Sequence, residues 1–277
     1  MSGFPERFAK RALRLIYELD STSHPERQIG AALESGFVAF AGEFRDGALS
    51  HGFRTILKLA QAAKIARADL FLEVSFSLDE AGGREDAVRR VQAALGGSLD
   101  ELGTTYLDAL ILRLPSTVRR IGESERAAWS SMEELVRSEK VRVLGVGNAE
   151  AEQLFDVHDS SSIAPEIVLN SCFAVADWDE AVREYCRMEQ MAYQARALLN
   201  ANPWILTDPQ CSIRARDRGM TVNQLLIAYA VSELGIAATT APLTSVEMKS
   251  ELQACKLSLT LADREALERA APSGPSP

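Results

Sequence analysis

The chain has 277 residues, of which 47% are hydrophobic and 25% are charged, a composition typical of a globular protein with an apolar core. Its net charge of −9 argues against binding to a nucleic-acid backbone, and no apolar run approaches the roughly 20 residues that span a bilayer. The N-terminus has no apolar core of the signal-peptide type. We therefore expect a cytoplasmic protein that binds neither nucleic acid nor membrane.

The cysteine and histidine patterns give no sign of a metal centre. The cysteines lie far apart along the chain and form no CxxC pair, and no histidine has metal-ligand spacing to another. We therefore expect free thiols and no metal site. The residues concerned are Cys172, Cys186, Cys211, Cys255, His24, His51 and His158.

Strand-like and helix-like segments alternate along the chain. Apolar runs typical of strands are separated by amphipathic stretches such as "REDAVRRVQAALGG" and "TVNQLLIAYAVSEL". Eight such alternations in roughly 250 residues predict a (β/α)8 barrel. The predicted strands are Leu13–Tyr17, Gly36–Phe40, Leu70–Ser75, Leu107–Leu112, Val141–Val146, Glu166–Leu169, Met191–Gln194 and Ile236–Thr239.

We expect one barrel domain over residues 13–271, preceded by a lead segment, 1–12, and followed by a disordered tail, 272–277. A doubly wound sheet would also alternate, but its glycine-rich phosphate loop normally comes early in the chain. The candidate for such a loop, "GVGNAE" at residues 145–150, lies in mid-chain and lacks the third glycine. The barrel is therefore the favoured fold.

In a (β/α)8 barrel the active site is built where the strands end and the loops into the helices begin. Arg113 stands at such an end, after the apolar run "LDALIL", although a guanidinium is costly to bury without a partner. Ser75 follows "LFLEV", Arg196 follows "MAYQA", and Asp46 lies in "AGEFRDG" after the second predicted strand. We expect these four side chains to surround one pocket.

Several ordered motifs resemble the aldo-keto reductase family. "SLDELGTTYLDALILRLP" is similar to the family's stretch in which a Tyr-Leu-Asp strand closes on His-x-Pro, and "AAWSSMEELVRSEKVRVLGVGN" is similar to its Lys-Val-Arg and Gly-Val-Ser-Asn run. The likeness covers roughly residues 13–265. It implies a (β/α)8 barrel that reduces carbonyl compounds with NADPH, in which a tyrosine donates the proton with help from lysine, aspartate and histidine.

At these four catalytic positions the chain departs from the family. The aspartate is replaced by Ala41, the lysine by Ser75 and the histidine by Arg113. The tyrosine position falls on Asp46 or on Phe44, depending on the alignment, and no tyrosine stands near either. The resemblance therefore implies a barrel of this family without its reductase chemistry.

The cofactor contacts that the resemblance implies are reduced as well. The family's serine falls on Gly147 and its carboxamide-binding glutamine on Leu169, so that only the amide of Asn148 remains. The aromatic residue that stacks on the nicotinamide falls on Arg196 or Ala197, and "TTAPLTS" carries no basic residue for a phosphate clamp. We therefore expect weak or absent NADPH binding and no cofactor.

Four residues are predicted to be catalytic and four to bind substrate, each with a structural alternative. Arg113 either binds an anionic or enolic oxygen in the pocket or forms a buried structural pair with Glu73. Trp178 either caps the pocket mouth or covers a helix, and Cys172 is either reactive or an inert buried thiol. The catalytic set is Arg113, Asp46, Glu73 and Ser75, and the substrate-binding set is Arg196, Phe44, Cys172 and Trp178.

Three hypotheses for function follow from these residues. The leading one is a non-redox enzyme, an isomerase, cyclase or lyase, that acts on a small organic molecule of the secondary-metabolite kind, because acids and bases still cluster at the strand ends. The alternative is a catalytically inactive binding or regulatory protein. A further alternative is an NADPH-dependent carbonyl reductase with a displaced proton donor. The sequence leaves the substrate and the oligomeric state open.

Overall fold

The computed structural model describes residues 13–19, 25–49, 52–78, 82–115 and 120–273. The strands are β1 (Leu15–Glu18), β2 (Ala39–Arg45), β3 (Ala48–Leu49), β4 (Phe71–Ser77), β5 (Leu107–Arg113), β6 (Val141–Gly147), β7 (Ile167–Ser171), β8 (Ala192–Arg196) and β9 (Ala237–Thr240). The helices are α1 (Pro25–Ser35), α2 (Ile56–Ala62), α3 (Arg84–Leu102), α4 (Glu123–Arg137), α5 (Ala151–Ser160), α6 (Glu180–Met188), α7 (Leu198–Ala201), α8 (Pro203–Thr207), α9 (Pro209–Asp217), α10 (Val222–Ser232), α11 (Ser245–Ala254) and α12 (Leu261–Ala270).

The strands close into a barrel because β1 pairs with both β2 and β9. All neighbouring pairs in the described residues are parallel except β2 and β3, which form a short antiparallel hairpin. The predicted (β/α)8 barrel is therefore confirmed. The predicted lead segment, 1–12, and residues 274–277 of the predicted tail lie outside the described residues. Within the described part, no helix combines the length and apolar character needed to cross a membrane.

Side chains of successive strand residues point alternately into the barrel and outward to the helices. Ala41 of β2, Ile111 of β5 and Leu169 of β7 belong to an apolar cluster in the barrel interior. The outward residues, such as Phe40 and Leu112, join a larger core with the surrounding helices. The strand register therefore decides which side chains line the barrel mouth.

Every predicted strand continues beyond its predicted C-terminal end, by one to five residues. The largest difference is in β2, which runs through Ala41 and Gly42 to Arg45. The Ala-Gly pair suggested the start of a loop, yet Gly42 fits a strand here because a Cβ at this position would lie 2.7 Å from the ring of Phe53. Glu43 is consequently a strand residue that faces the barrel mouth.

At the opposite, N-terminal end of the barrel, Asp108 of β5 holds three strands together. Its carboxylate accepts hydrogen bonds from Arg67 at 2.7 Å, from Arg142 at 3.1 Å and from the backbone N–H of Leu72 at 3.0 Å. The ring of Tyr106 lies between the two guanidinium groups, at 4.0 and 4.1 Å from its centroid. This cluster is structural, since the N-terminal face of such barrels serves stability.

Replacing Asp108 by alanine should lower the free energy of unfolding by about 2–3 kcal/mol, because it leaves the buried N–H of Leu72 without an acceptor and removes two charged hydrogen bonds. Urea denaturation followed by circular dichroism measures the change. Asp86→Ala is the matched control, because Asp86 pairs with Arg89 and Arg90 on the surface of α3. Equal stability losses in the two variants would contradict the structural role of the Asp108 cluster.

Candidate active site

A cleft of about 430 Å³ opens at the C-terminal ends of the strands. Its floor includes Ala41, Glu73, Ser75 and Leu169. Ala41 and Ser75 are small side chains at two of the positions that depart from the family pattern, and the cleft therefore reaches down to Glu73. Charged side chains surround the floor, namely Glu18, Glu43, Arg45 and Arg196.

Arg113 pairs with Glu43. Its Nη1 lies 2.6 Å from Glu43 Oε1, and only 9% of the residue is exposed. To reach β2, the Arg113 side chain crosses β4, where the side chain of Ser75 is small. The aliphatic part of Arg113 packs against β6 at Gly147, since a Cβ added to this glycine would lie 3.0 Å from Arg113 Cγ. The structural alternative for Arg113, a buried pair with Glu73, is not formed, because the guanidinium reaches past β4 to Glu43 of β2.

Glu43 lies among three arginines. Arg45 donates from Nη2 to Glu43 Oε1 at 2.7 Å, and Arg196 Nη2 lies 3.7 Å from Glu43 Oε2. Burial alone would raise the pKa of Glu43, but the hydrogen bond from Arg45 and the charges of Arg113, Arg45 and Arg196 lower it below its ordinary value. Glu43 is therefore an ionised carboxylate at neutral pH, held between guanidinium groups of β5 and β8.

Glu73 has the opposite electrostatic character. It is only 1% exposed, and Gln194 donates from Nε2 to its Oε2 at 2.9 Å across the barrel interior. Its second oxygen, Oε1, is buried without a hydrogen-bond partner among the described residues. Burial raises the pKa of Glu73 to about 7, and the charge of Glu18 adds to this effect while the hydrogen bond from Gln194 opposes it. The cleft floor thus carries a carboxyl group that keeps its proton up to near-neutral pH.

Glu18 fixes Arg196 at the rim. Arg196 donates from Nε to Glu18 Oε1 at 3.3 Å, and Thr239 donates from its hydroxyl to Glu18 Oε2 at 2.6 Å. These contacts join β1, β8 and β9. Although three glutamates face the same cleft, no group of three or more potential ligands in the described part of the chain is arranged to hold a metal ion.

Sequence reasoning missed Glu18 and Glu43 as site residues. Each is a carboxylate at or near the C-terminal end of a barrel strand, after "LIY" and "AFAG" respectively. A charged residue that closes an apolar strand was the signal that identified Arg113, and it applies equally to Glu18. Glu43 was not recognised because the second strand was predicted to end at Phe40, three residues before it.

Two predicted residues on β2 and its hairpin, Phe44 and Asp46, do not line the cleft but line a neighbouring cavity of about 470 Å³ that shares Glu43 and Arg45 with it. Asp46 is exposed at the turn between β2 and β3, where its φ of +53° is typical of a tight turn. Phe44 faces outward and packs against α3, since a Cβ on Gly97 would lie 2.5 Å from its ring. Asp46 is thus placed as a solvated turn residue and Phe44 as part of the outer core.

Cys172 and Trp178 also lie outside the cleft, in the connection between β7 and α6. Cys172 is fully buried and donates from Sγ to the carbonyl of Trp178 at 3.3 Å, and burial raises the pKa of its thiol to about 12. The Trp178 ring is buried 5.4 Å from that of Tyr229. The structure therefore brings Glu73, Ser75 and Arg196 together in the cleft, with Arg113 joined to it through Glu43. Phe44 and Asp46 lie in the neighbouring cavity, and Cys172 and Trp178 line neither of the two.

Comparison with known proteins gives one family match. The model of the aldo/keto reductase family matches residues 55–203. An aldo-keto reductase of Mycolicibacterium vanbaalenii is 23% identical over 249 residues, which cover 90% of this chain and 84% of that protein. An uncharacterized oxidoreductase of Schizosaccharomyces pombe is 28% identical over 143 residues, 51% of this chain and 48% of that protein. The chain spans about half the length of the Schizosaccharomyces pombe protein and of two other curated relatives, both named aldo-keto reductase family 1 member A1, from Cricetulus griseus and Bos taurus.

The fold is shared with solved structures. The crystal structure of MGS-M4, an aldo-keto reductase enzyme from a Medee basin deep-sea metagenome library, superposes with a TM-score of 0.80 at 16% sequence identity. The superposition covers 95% of this chain and 92% of that one. At this identity the likeness establishes the barrel fold alone.

The prediction that the chain uses no cofactor is wrong. The matched family model is that of the aldo/keto reductases, and the relatives whose names state a class are reductases or oxidoreductases. This family match points to NADPH, the reductant that the resemblance implies.

A second cavity adjoins the cleft at the strand ends. It has a volume of about 210 Å³, shares Asn200 and Thr239 with the cleft, and extends to α11. Two carboxylates line its far end: Glu247 accepts hydrogen bonds from the backbone N–H groups of Leu243 and Thr244, and the buried Glu251 accepts one from the Thr240 hydroxyl. Asn148, the amide that remains from the family pattern, is exposed just after β6 and lines neither cavity, and its side-chain hydrogen bond to Leu114 O is long at 3.5 Å.

Proposed function

Since this chain belongs to the aldo/keto reductase family, we propose that it reduces a carbonyl group with a nicotinamide cofactor and that Glu73 takes the place of the family's tyrosine as proton donor. The observation that carries the proposal is the buried carboxyl of Glu73 on the cleft floor, with a pKa of about 7 and one oxygen that has no hydrogen-bond partner among the described residues. A general acid is most effective when its pKa lies near the working pH. Glu73 meets that condition at neutral pH.

The reaction requires one hydride and one proton. A nicotinamide cofactor, when bound, would supply the hydride for the carbonyl carbon. Glu73 gives its proton to the carbonyl oxygen, and the resulting carboxylate recovers a proton from solvent through the open cleft. Gln194 holds Glu73 Oε2 at 2.9 Å, which leaves Oε1 for the substrate.

Arg113 and Ser75 complete the polar surroundings of the oxygen. Arg113 stands at the strand end where the family pattern has its histidine, and its guanidinium reaches across β4 to Glu43 of β2. A fixed positive charge in a partly dehydrated site stabilises negative charge that develops on oxygen in the transition state. The catalytic set in this proposal is therefore Glu73 with Arg113, and the small side chain of Ser75 leaves room for the substrate oxygen.

The test is a reduction assay with NADPH and with NADH, each carrying deuterium at the transferable position, against a panel of aldehydes, ketones and oxo acids. We expect an alcohol product with the deuterium on its carbinol carbon. Mass spectrometry of the product measures the transfer. An active preparation that converts a carbonyl compound without deuterium transfer would contradict the reductase, and binding without any conversion would favour the binding-protein alternative.

A non-redox proton-transfer enzyme is the second candidate, and one observation favours it. The pKa values of Glu73 and Glu43 are shifted in opposite directions, which is the arrangement of an acid and a base that share one substrate. Such a pair would move a proton between carbon and oxygen of an enolisable carbonyl compound. Exchange of the substrate's α-hydrogen with deuterated water in the absence of cofactor tests it, and unlabelled substrate after prolonged incubation would contradict it.

A further inference from the structure

The carboxylate of Glu43 occupies a position in which an external anion would also be held. Its Oε1 lies 2.6 Å from Arg113 Nη1, and its Oε2 lies 3.7 Å from Arg196 Nη2. Two guanidinium groups that approach the two oxygens of one carboxylate from different strands form a typical carboxylate site. Here the chain itself provides the carboxylate.

The buried guanidinium of Arg113 is incompletely satisfied by Glu43. Arginine has five N–H donors, and the Nε of Arg113 is buried without an acceptor among the described residues. A buried donor without a partner costs free energy, and such atoms are few in native structures. A ligand carboxylate that reached Nε as well as Nη1 would satisfy a donor that Glu43 leaves without an acceptor.

Glu43 has an alternative partner that would allow it to give way. Arg45 contacts Glu43 Oε1 through both Nε, at 3.2 Å, and Nη2, at 2.7 Å. The side chain of Arg45 is 68% exposed, whereas that of Arg113 is 11% exposed. If Glu43 leaves Arg113, it therefore keeps a charged partner on the solvent side of the hairpin.

We propose that the carbonyl substrate carries a carboxylate that displaces Glu43 from Arg113 and Arg196. This inference rests on the proposed function, because it names the substrate class of the same cleft. Glu43 is then an internal competitor for the substrate, and it keeps the two guanidinium groups in position while the cleft is empty. The substrate class is that of oxo acids.

Calorimetric titration with benzoylformate, an oxo acid, and with its methyl ester tests the proposal without turnover. We expect the acid to bind at least about tenfold more tightly than the ester, as an arginine–carboxylate pair provides. Glu43→Gln should tighten benzoylformate binding by about tenfold and leave the ester unchanged, because it removes the competing charge. A Glu43→Gln variant with unchanged or weaker affinity for benzoylformate would overturn the proposal, as would equal affinities of acid and ester.

Arg113→Gln and Arg196→Gln should each weaken benzoylformate binding by about tenfold or more. Thermal melts show which of these two arginine variants remain folded. The tighter benzoylformate binding expected of Glu43→Gln is measured independently of both arginine variants. Tight binding of benzoylformate without hydride transfer to any carbonyl compound would sink the proposed reductase and leave the carboxylate site intact. Hydride transfer to neutral carbonyl compounds, with no affinity for benzoylformate, would support the proposed reductase and overturn the carboxylate site.

Discussion

Glu73→Gln should lower kcat for carbonyl reduction by about 10²- to 10⁴-fold, the range that a positioned general acid contributes. Glutamine keeps the size and the hydrogen bond of Glu73 with Gln194 but has no acidic proton. Because the proton is needed only in the transition state, KM for the carbonyl compound should change far less than kcat. Steady-state kinetics with the best substrate of the reduction assay measure both constants.

Asp108→Ala is the matched control for this loss, since it removes a buried carboxylate at the opposite end of the barrel. It should lower stability and leave kcat close to that of the wild-type protein below the unfolding temperature. Glu73→Gln should instead lower kcat without lowering stability. A Glu73→Gln variant that keeps most of its kcat would exclude Glu73 as the proton donor.

The free energy of unfolding should fall by about 3 kcal/mol between pH 4.5 and about pH 7 because of Glu73. The folded protein keeps the Glu73 proton up to about pH 7, whereas the unfolded chain releases it near pH 4.5. The native state therefore binds more protons in this interval, and its stability decreases as pH rises. The contribution is complete below pH 4.5 and lost above about pH 7.

Burial also raises the pKa values of Glu251 and Asp179, so Glu73 is not the only group that makes stability depend on pH. The difference between the wild-type protein and Glu73→Gln isolates the contribution of Glu73. Urea denaturation of both proteins at several pH values measures this difference. A difference that stays constant from pH 4.5 to pH 7 would show that Glu73 has an ordinary pKa.

The barrel was predictable because its determinants are local. Alternation of apolar strands with amphipathic helices is visible in short windows, and family motifs such as "TYLDALILRLP" occur in order along the chain. Strand ends were less predictable. Gly42 resembles a loop residue in sequence and is a strand residue in the barrel because the ring of Phe53 packs against it.

The site was predictable in part, for a physical reason. The alternation of inward and outward side chains along β4 correctly predicted that Glu73 and Ser75 face the barrel interior, and the position of Arg113 at a strand end identified it. The partners of these residues depend on pairings across the barrel, which local patterns do not encode. Glu73 contacts Gln194, which is 121 residues away, and Arg113 contacts Glu43, which is 70 residues away.

The central claim, that a protonated Glu73 donates the proton in carbonyl reduction, is tested most directly by the pH dependence of kcat in the wild-type protein and in Glu73→Gln. We predict that wild-type kcat falls about tenfold per pH unit once the pH exceeds the pKa of Glu73, about 7 in the free protein, because the acid is then ionised. Glu73→Gln should show only a low residual rate without this decline. A wild-type kcat that stays constant well above pH 7, or an identical decline in Glu73→Gln, would contradict the account.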